Sequence, residues 1–139
     1  MKLIKSKTLI ILYLTALFLA SCTMTNTKTK DPVFNDMAKT LNELTKVVTA
    51  EAINLNGKEI TTNKKVTSEL EINITNGQNM PTTEDERKAL GKSIATLIKS
   101  NLKDKNEFDT FQILFITKVE NGGVTKRNWV GNVFNSSEL

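Results

Sequence analysis

The sequence predicts an α+β fold. The expected form is a two-layer sandwich with two helices on one face of a mainly antiparallel four-stranded sheet, in the order α-β-β-α-β-β. Three observations predict it. Two segments carry apolar residues at helical spacing, and each is followed by a pair of runs at strand spacing. The signals between neighbouring runs are short, as antiparallel hairpins require. The length of 139 residues supplies one modest core and not two.

Residues 31–139 form the expected single domain. Asp31-Pro32 has the pattern of a helix start, with an N-capping acid and a proline whose missing N–H costs nothing there. Phe34, Met37, Leu41, Leu44 and Val48 then lie on one helical stripe, with Val47 alongside. Ile53 and Leu55 alternate before Asn56-Gly57, a turn signal. Val66, Leu70, Ile72 and Ile74 share one parity, and polar residues from Thr67 to Thr75 take the other. This marks a strand with one wet face, closed by Asn76-Gly77.

After Pro81, Thr83 and Glu86 make a capping-box pattern, and Glu84 and Asp85 suit the positive end of the helix dipole. Leu90, Ile94, Leu97, Ile98 and Leu102 form the buried stripe, and the helix should end near Lys103. The run Phe111–Ile116 is nearly continuous apolar sequence, expected of a central strand with little solvent on either face. Asn121-Gly122-Gly123 is a hairpin signal. It leads into Val124–Phe134, where Trp129, Val130, Val133 and Phe134 should add to the core and Gly131 should mark a bulge.

Composition removes several chemistries. The chain has no histidine and one cysteine, Cys22. The common zinc and copper ligand sets cannot be assembled, and Ser-His-Asp and Cys-His nucleophile systems are excluded. No metal or other cofactor is expected, and no catalytic residue is assigned.

Residues 1–21 stand apart. Lys2, Lys5 and Lys7 precede an uncharged apolar run of about 12 residues, well short of the roughly 20 that span a bilayer. The run ends in Leu19-Ala20-Ser21-Cys22. This arrangement resembles the lipobox of bacterial lipoproteins. The resemblance implies a signal peptide cut between Ser21 and Cys22, and a lipidated Cys22 that holds the chain to the cell-envelope membrane. Thr23 follows the cysteine where an enteric retention signal would have aspartate, which implies the outer membrane. Residues 22–30 read as a flexible tether with a reach of about 15–18 Å.

The cut also changes the charge. The full chain carries 19 basic and 15 acidic residues, a net of +4, and the leader holds three of the lysines. The remaining balance of 16 to 15 withdraws the support for a nucleic-acid partner.

Four features of the domain invite a functional reading. Lys88, Lys92, Lys99 and Lys103 fall within an arc of about 60° on the second helix, a strip that could meet anionic lipid headgroups; the plainer reading is a solvated helix face. Glu69 and Glu71 lie on one strand face, as paired hydrolytic carboxylates would, although exposed glutamates are common there. Arg127 and Trp129 share a face of the last strand as a cation–π pair or, if exposed, a partner surface flanked by Asn132. The Asn76–Thr83 loop is the one segment that could enter an enzyme's active site. The expected function is therefore a non-catalytic binding domain on a lipid anchor, with an envelope protein as partner. A small carboxylate-dependent hydrolase and an inhibitor or immunity lipoprotein are the alternatives.

Overall fold

The computed structural model describes residues 24–139, so the leader, Ser21 and Cys22 lie outside the described residues. The elements are β1 (Thr25–Thr29), α1 (Met37–Val47), β2 (Ala52–Thr62), β3 (Lys65–Thr75), α2 (Glu84–Asn101), β4 (Thr110–Asn121) and β5 (Val124–Asn135), followed by one 3-10 turn, Ser136–Glu138. The α+β class holds, with one sheet and two helices among the described residues. The sheet has five strands in sequential order and is mixed, because β3 and β4 run parallel while the other neighbours are antiparallel.

The fifth strand comes from the expected tether. Residues 25–29, Thr-Asn-Thr-Lys-Thr, pair with Lys58–Thr62 at the sheet edge, although every side chain among them is exposed. Backbone pairing holds this strand in place, which side-chain periodicity could not signal. The parallel pairing follows from the connection: α2 carries the chain from β3 back to the start of β4, as a crossover helix does.

Side-chain parity decides the two faces. Ser68, Leu70, Ile72 and Ile74 of β3 and Phe111, Ile113 and Phe115 of β4 are buried on one face. Leu44 and Val48 of the α1 region, with Ile94, Ala95, Ile98 and Leu102 of the α2 region, complete the same core. The intervening residues of β3 are only half-buried, and among the described residues no helix lies on the opposite face. The apolar run of β4 is accordingly covered on one face only: Leu114 and Ile116 are half-buried where Phe111 and Ile113 are buried.

One helix start differs from expectation. Helix α1 is capped by Asp36, whose Oδ1 accepts from the Lys39 N–H at 2.9 Å. The Asp31–Asn35 segment is instead extended and clamped to the end of α2: Lys103 N–H donates to Val33 O at 2.8 Å, and Asn35 N–H to Asn101 O at 3.0 Å. Met37 and Leu41 are consequently exposed, and Thr40 joins Leu44 and Val48 inside. Helix α2 begins as expected at Thr83, whose side chain accepts from Glu86 N–H, and it ends at Asn101.

Asn56-Gly57 is no turn. Strand β2 runs through it, and the turn falls at Asn63-Lys64, both at positive φ. Gly57 is a glycine for a different reason: a Cβ there would lie 1.9 Å from the Lys30 carbonyl oxygen and 3.0 Å from the Phe108 ring. The chain entering from β1 crosses directly over it. The second hairpin is as expected, with Gly122 and Gly123 both at positive φ between paired Asn121 and Val124.

Candidate interaction surface

The helix-free face can be followed row by row from the strand register. Trp129 stands beside Ile116, then Thr75, then Ala52; Gly131 beside Leu114, Asn73 and Asn54; Val133 beside Gln112, Glu71 and Asn56. The β4–β5 side of the face therefore has an apolar centre at Trp129, Ile116, Leu114 and Val133, and the β2–β3 side carries amides and carboxylates. Trp129 is 69% exposed and Val133 59% exposed. Between them lies Gly131. A Cβ at Gly131 would meet Leu114 Cδ2 at 2.4 Å, so the glycine lets the leucine lie flat against the strand. The register is unbroken there, and the expected bulge is absent.

Trp129, Val130 and Val133 were expected in the core, and only Phe134 of that group is buried. For Trp129 and Val133 the cause is parity, whereas Val130 shares the parity of Phe134 and is 48% exposed on the edge strand beside Phe115. Phe134 pairs with buried Phe111 on the helix side, whereas Trp129 and Val133 point the other way. Asn132 shares the parity of Phe134, so it does not flank Trp129; it faces α2, where a Cβ added at Gly91 would lie 3.7 Å from its Oδ1. Arg127 does share a face with Trp129, but the cation–π contact among the described residues is Lys30 over Phe108, 5.1 Å from the ring centre. Arg127 stands beside Lys118, whose ammonium is 2.5 Å from Glu120 Oε1. The Glu120 carboxyl is held below its ordinary value first by that hydrogen bond, then by the Lys118 charge, with Arg127 adding to it.

Of the lysine strip, one member is engaged in the fold. Lys99 donates to Ser136 O at 2.5 Å and binds the C-terminal turn to α2. Lys103 lies beyond the helix end, and Lys88 and Lys92 are exposed on α2; the Glu138 carboxyl is lowered first by its hydrogen bonds from Asn135, with the Lys92 and Lys88 charges adding to them. Glu69 and Glu71 are likewise engaged. The Lys58 ammonium is 2.8 Å from Glu69 Oε1, and Asn73 donates to Glu71 Oε1 at 2.7 Å. The Asn76–Thr83 loop is tied down rather than projecting: Asn76 N–H donates to Ile116 O, Lys118 N–H to Asn76 Oδ1, and Gln78 N–H to Thr49 O. Beside it, a cavity of about 380 Å³ opens between Met80, Pro81, Arg87, Phe115 and Val130. Arg87 is already donating to Thr82 O at 2.5 Å and Pro81 O at 3.3 Å.

Sequence reasoning missed one polar cluster. Asp109 Oδ2 accepts from Ser68 N–H at 2.7 Å, and the Ser68 hydroxyl lies 3.1 Å from it and 3.0 Å from Glu107 O. Lys30 Nζ donates to the same Glu107 oxygen at 2.6 Å. A serine, a lysine and an aspartate thus converge, but the hydroxyl points at acceptors and both cationic and anionic groups are spent on backbone. The cluster fastens the α2–β4 connection to the start of the parallel pair. Only the contact itself, 41 residues apart in sequence, could have revealed it.

The fold thus defines a small two-layer α+β domain with one sheet face left uncovered by the described residues. Comparison with protein-family models, curated proteins and solved structures finds no match to the chain.

Proposed function

We propose that this chain is a lipid-anchored cell-envelope protein, held by Cys22 in the outer membrane, whose domain binds an envelope protein without catalysing a reaction. The observation that carries the binding reading is the exposure of Trp129 on a helix-free face, next to Ile116 and the Leu114–Gly131 floor. A large aromatic left in water on a flat apolar surface is the usual anchor of a protein interface. The lipobox-like Leu19-Ala20-Ser21-Cys22 supports the anchor. Strand β1 begins three residues after Cys22, so a lipid on that sulfur would keep the β1 edge close to the bilayer.

The experiment has two parts. Intact-mass analysis of the chain from membranes should find a mature N-terminus at an acylated Cys22; an unmodified chain that retains Met1 would end the anchoring reading. Affinity capture from the same membranes should recover a protein with the wild-type chain and lose it with Trp129→Ser. Equal recovery by both baits would remove this face as the binding site.

A further inference from the structure

We infer that β5 is a self-pairing edge, and that two copies of this chain join their sheets through it, antiparallel, about a twofold axis beside Gly131.

The two edges of the sheet are built differently. The β1 edge is five residues of threonine, asparagine and lysine, the short polar form that discourages further pairing. The β5 edge is 12 residues long and carries Val124, Trp129, Val130 and Val133, all exposed. The direction of its backbone groups follows from the hairpin. A two-residue loop makes Asn121 and Val124 a hydrogen-bonded pair, and such pairs alternate along an antiparallel ladder. The even-numbered residues of β5 therefore bond to β4. Arg127, Trp129, Gly131 and Val133 direct N–H and C=O groups outward, and among the described residues these groups find no partner. The residues with free backbone groups are the same ones that carry Trp129 and Val133 on the open face.

A second copy fits this edge by charge and shape. Strand β5 holds Lys126 and Arg127 at one end and no acid. With the axis beside Gly131, these residues do not oppose one another. They reach the other end of the second strand, where its Asn135 side chain and Glu138 carboxylate stand. In the same arrangement, Trp129 meets Gly131 and Val133 of the second copy, joining two apolar patches into one. Cross-strand aromatic and β-branched pairs of this kind favour a single register. The open faces of both sheets then lie on the same side, so the surface assigned to a partner under the proposed function is doubled; the pairing itself does not depend on that assignment.

The test uses the full chain in detergent micelles. Native mass spectrometry at about 10–100 μM should show a dimer, because interfaces of this kind bind in the micromolar range or tighter. Val133→Lys should weaken it about tenfold or more through edge-strand charge repulsion, with an unchanged circular dichroism spectrum. Val133→Pro removes an outward N–H without touching the β4 ladder, and should do the same. Backbone amides of Arg127, Trp129, Gly131 and Val133 should exchange slowly with deuterium in the dimer, and those of Arg127, Trp129 and Gly131 should exchange fast in both variants. A wild-type monomer throughout this range would overturn the proposal, even if the chain still captures a partner. So would a dimer that survives both variants or leaves those four amides unprotected. Protection that appears only when a captured foreign protein is added would give the edge to that protein instead.

Discussion

Asp109 accepts two hydrogen bonds from Ser68, one from its backbone N–H at 2.7 Å and one from its hydroxyl at 3.1 Å, at the point where the parallel strands meet. Asp109 N–H returns a bond to Ser68 O at 2.9 Å. This reciprocal pair fixes where β4 lies against β3. Asp109→Ala should lower unfolding stability by about 1–3 kcal/mol, the cost of stranding a part-buried donor, measured by urea denaturation. Asp109→Asn should cost less because its carbonyl can still accept. Equal losses would show that the negative charge, and not the acceptor, matters.

Gly57→Ala should be among the most damaging single methyl additions. The new Cβ must displace the Lys30 carbonyl, which is backbone and cannot swing aside, and press on Phe108. Overpacking of this kind costs about 1–3 kcal/mol, sometimes more. Loss of the Lys30 N–H to Gly57 O bond should also show as faster hydrogen exchange at Lys30, ahead of global unfolding. Gly122→Ala strains only a positive-φ turn with open space around it and should cost less.

Glu138 gives a pH-dependent prediction. Its carboxyl sits below the ordinary glutamate value because the Asn135 side chain and backbone N–H donate to it, with the Lys92 and Lys88 charges assisting. A group whose folded value is depressed stabilises the fold above its unfolded value and loses that contribution as pH falls through the folded one. An NMR titration should place the Glu138 midpoint below that of a free glutamate. Asn135→Ala should move it back up, and a midpoint unchanged by that substitution would break the assignment.

Trp129→Ser separates folding from binding. The side chain is 69% exposed and supports no core residue, so the stability change should stay within about 0.5 kcal/mol. Partner capture should nevertheless be lost. A large drop in melting temperature would mean that Trp129 supports the fold and that its exposure says little about recognition.

Much of this fold is legible in the sequence because burial writes itself as period. The alternation in β3, the stripe of α2 and its Thr83 cap, and the Gly122-Gly123 hairpin all follow from side-chain type and spacing. What was not legible lacks such a mark. Strand β1 buries no side chain, Asn63-Lys64 turns without a glycine, and the glycine at position 57 answers a crossing chain instead of a turn. The candidate surface was half legible. Arg127 and Trp129 share a face as their i, i+2 spacing requires, but the same parity excludes Asn132. Which side of β5 met the helices depended on pairing with Phe111, and sequence alone could not supply that.

The parallel seam between β3 and β4 also has a kinetic consequence. The β2–β3 and β4–β5 hairpins close through two-residue turns and can form locally, within about 1–10 μs. The seam joins residues 41 apart, so loop closure around α2 must precede any gain from pairing there. Until it closes, each preformed hairpin leaves one of the two most apolar strands with a bare side. Stopped-flow refolding should therefore slow when the seam is weakened by Asp109→Ala, and Gly122→Ala, in a hairpin that forms before the seam, should also act on refolding and leave the unfolding rate nearly unchanged. The slowest step of assembly is thus placed at the centre of the sheet, and the interval before it is when the chain is most exposed to aggregation.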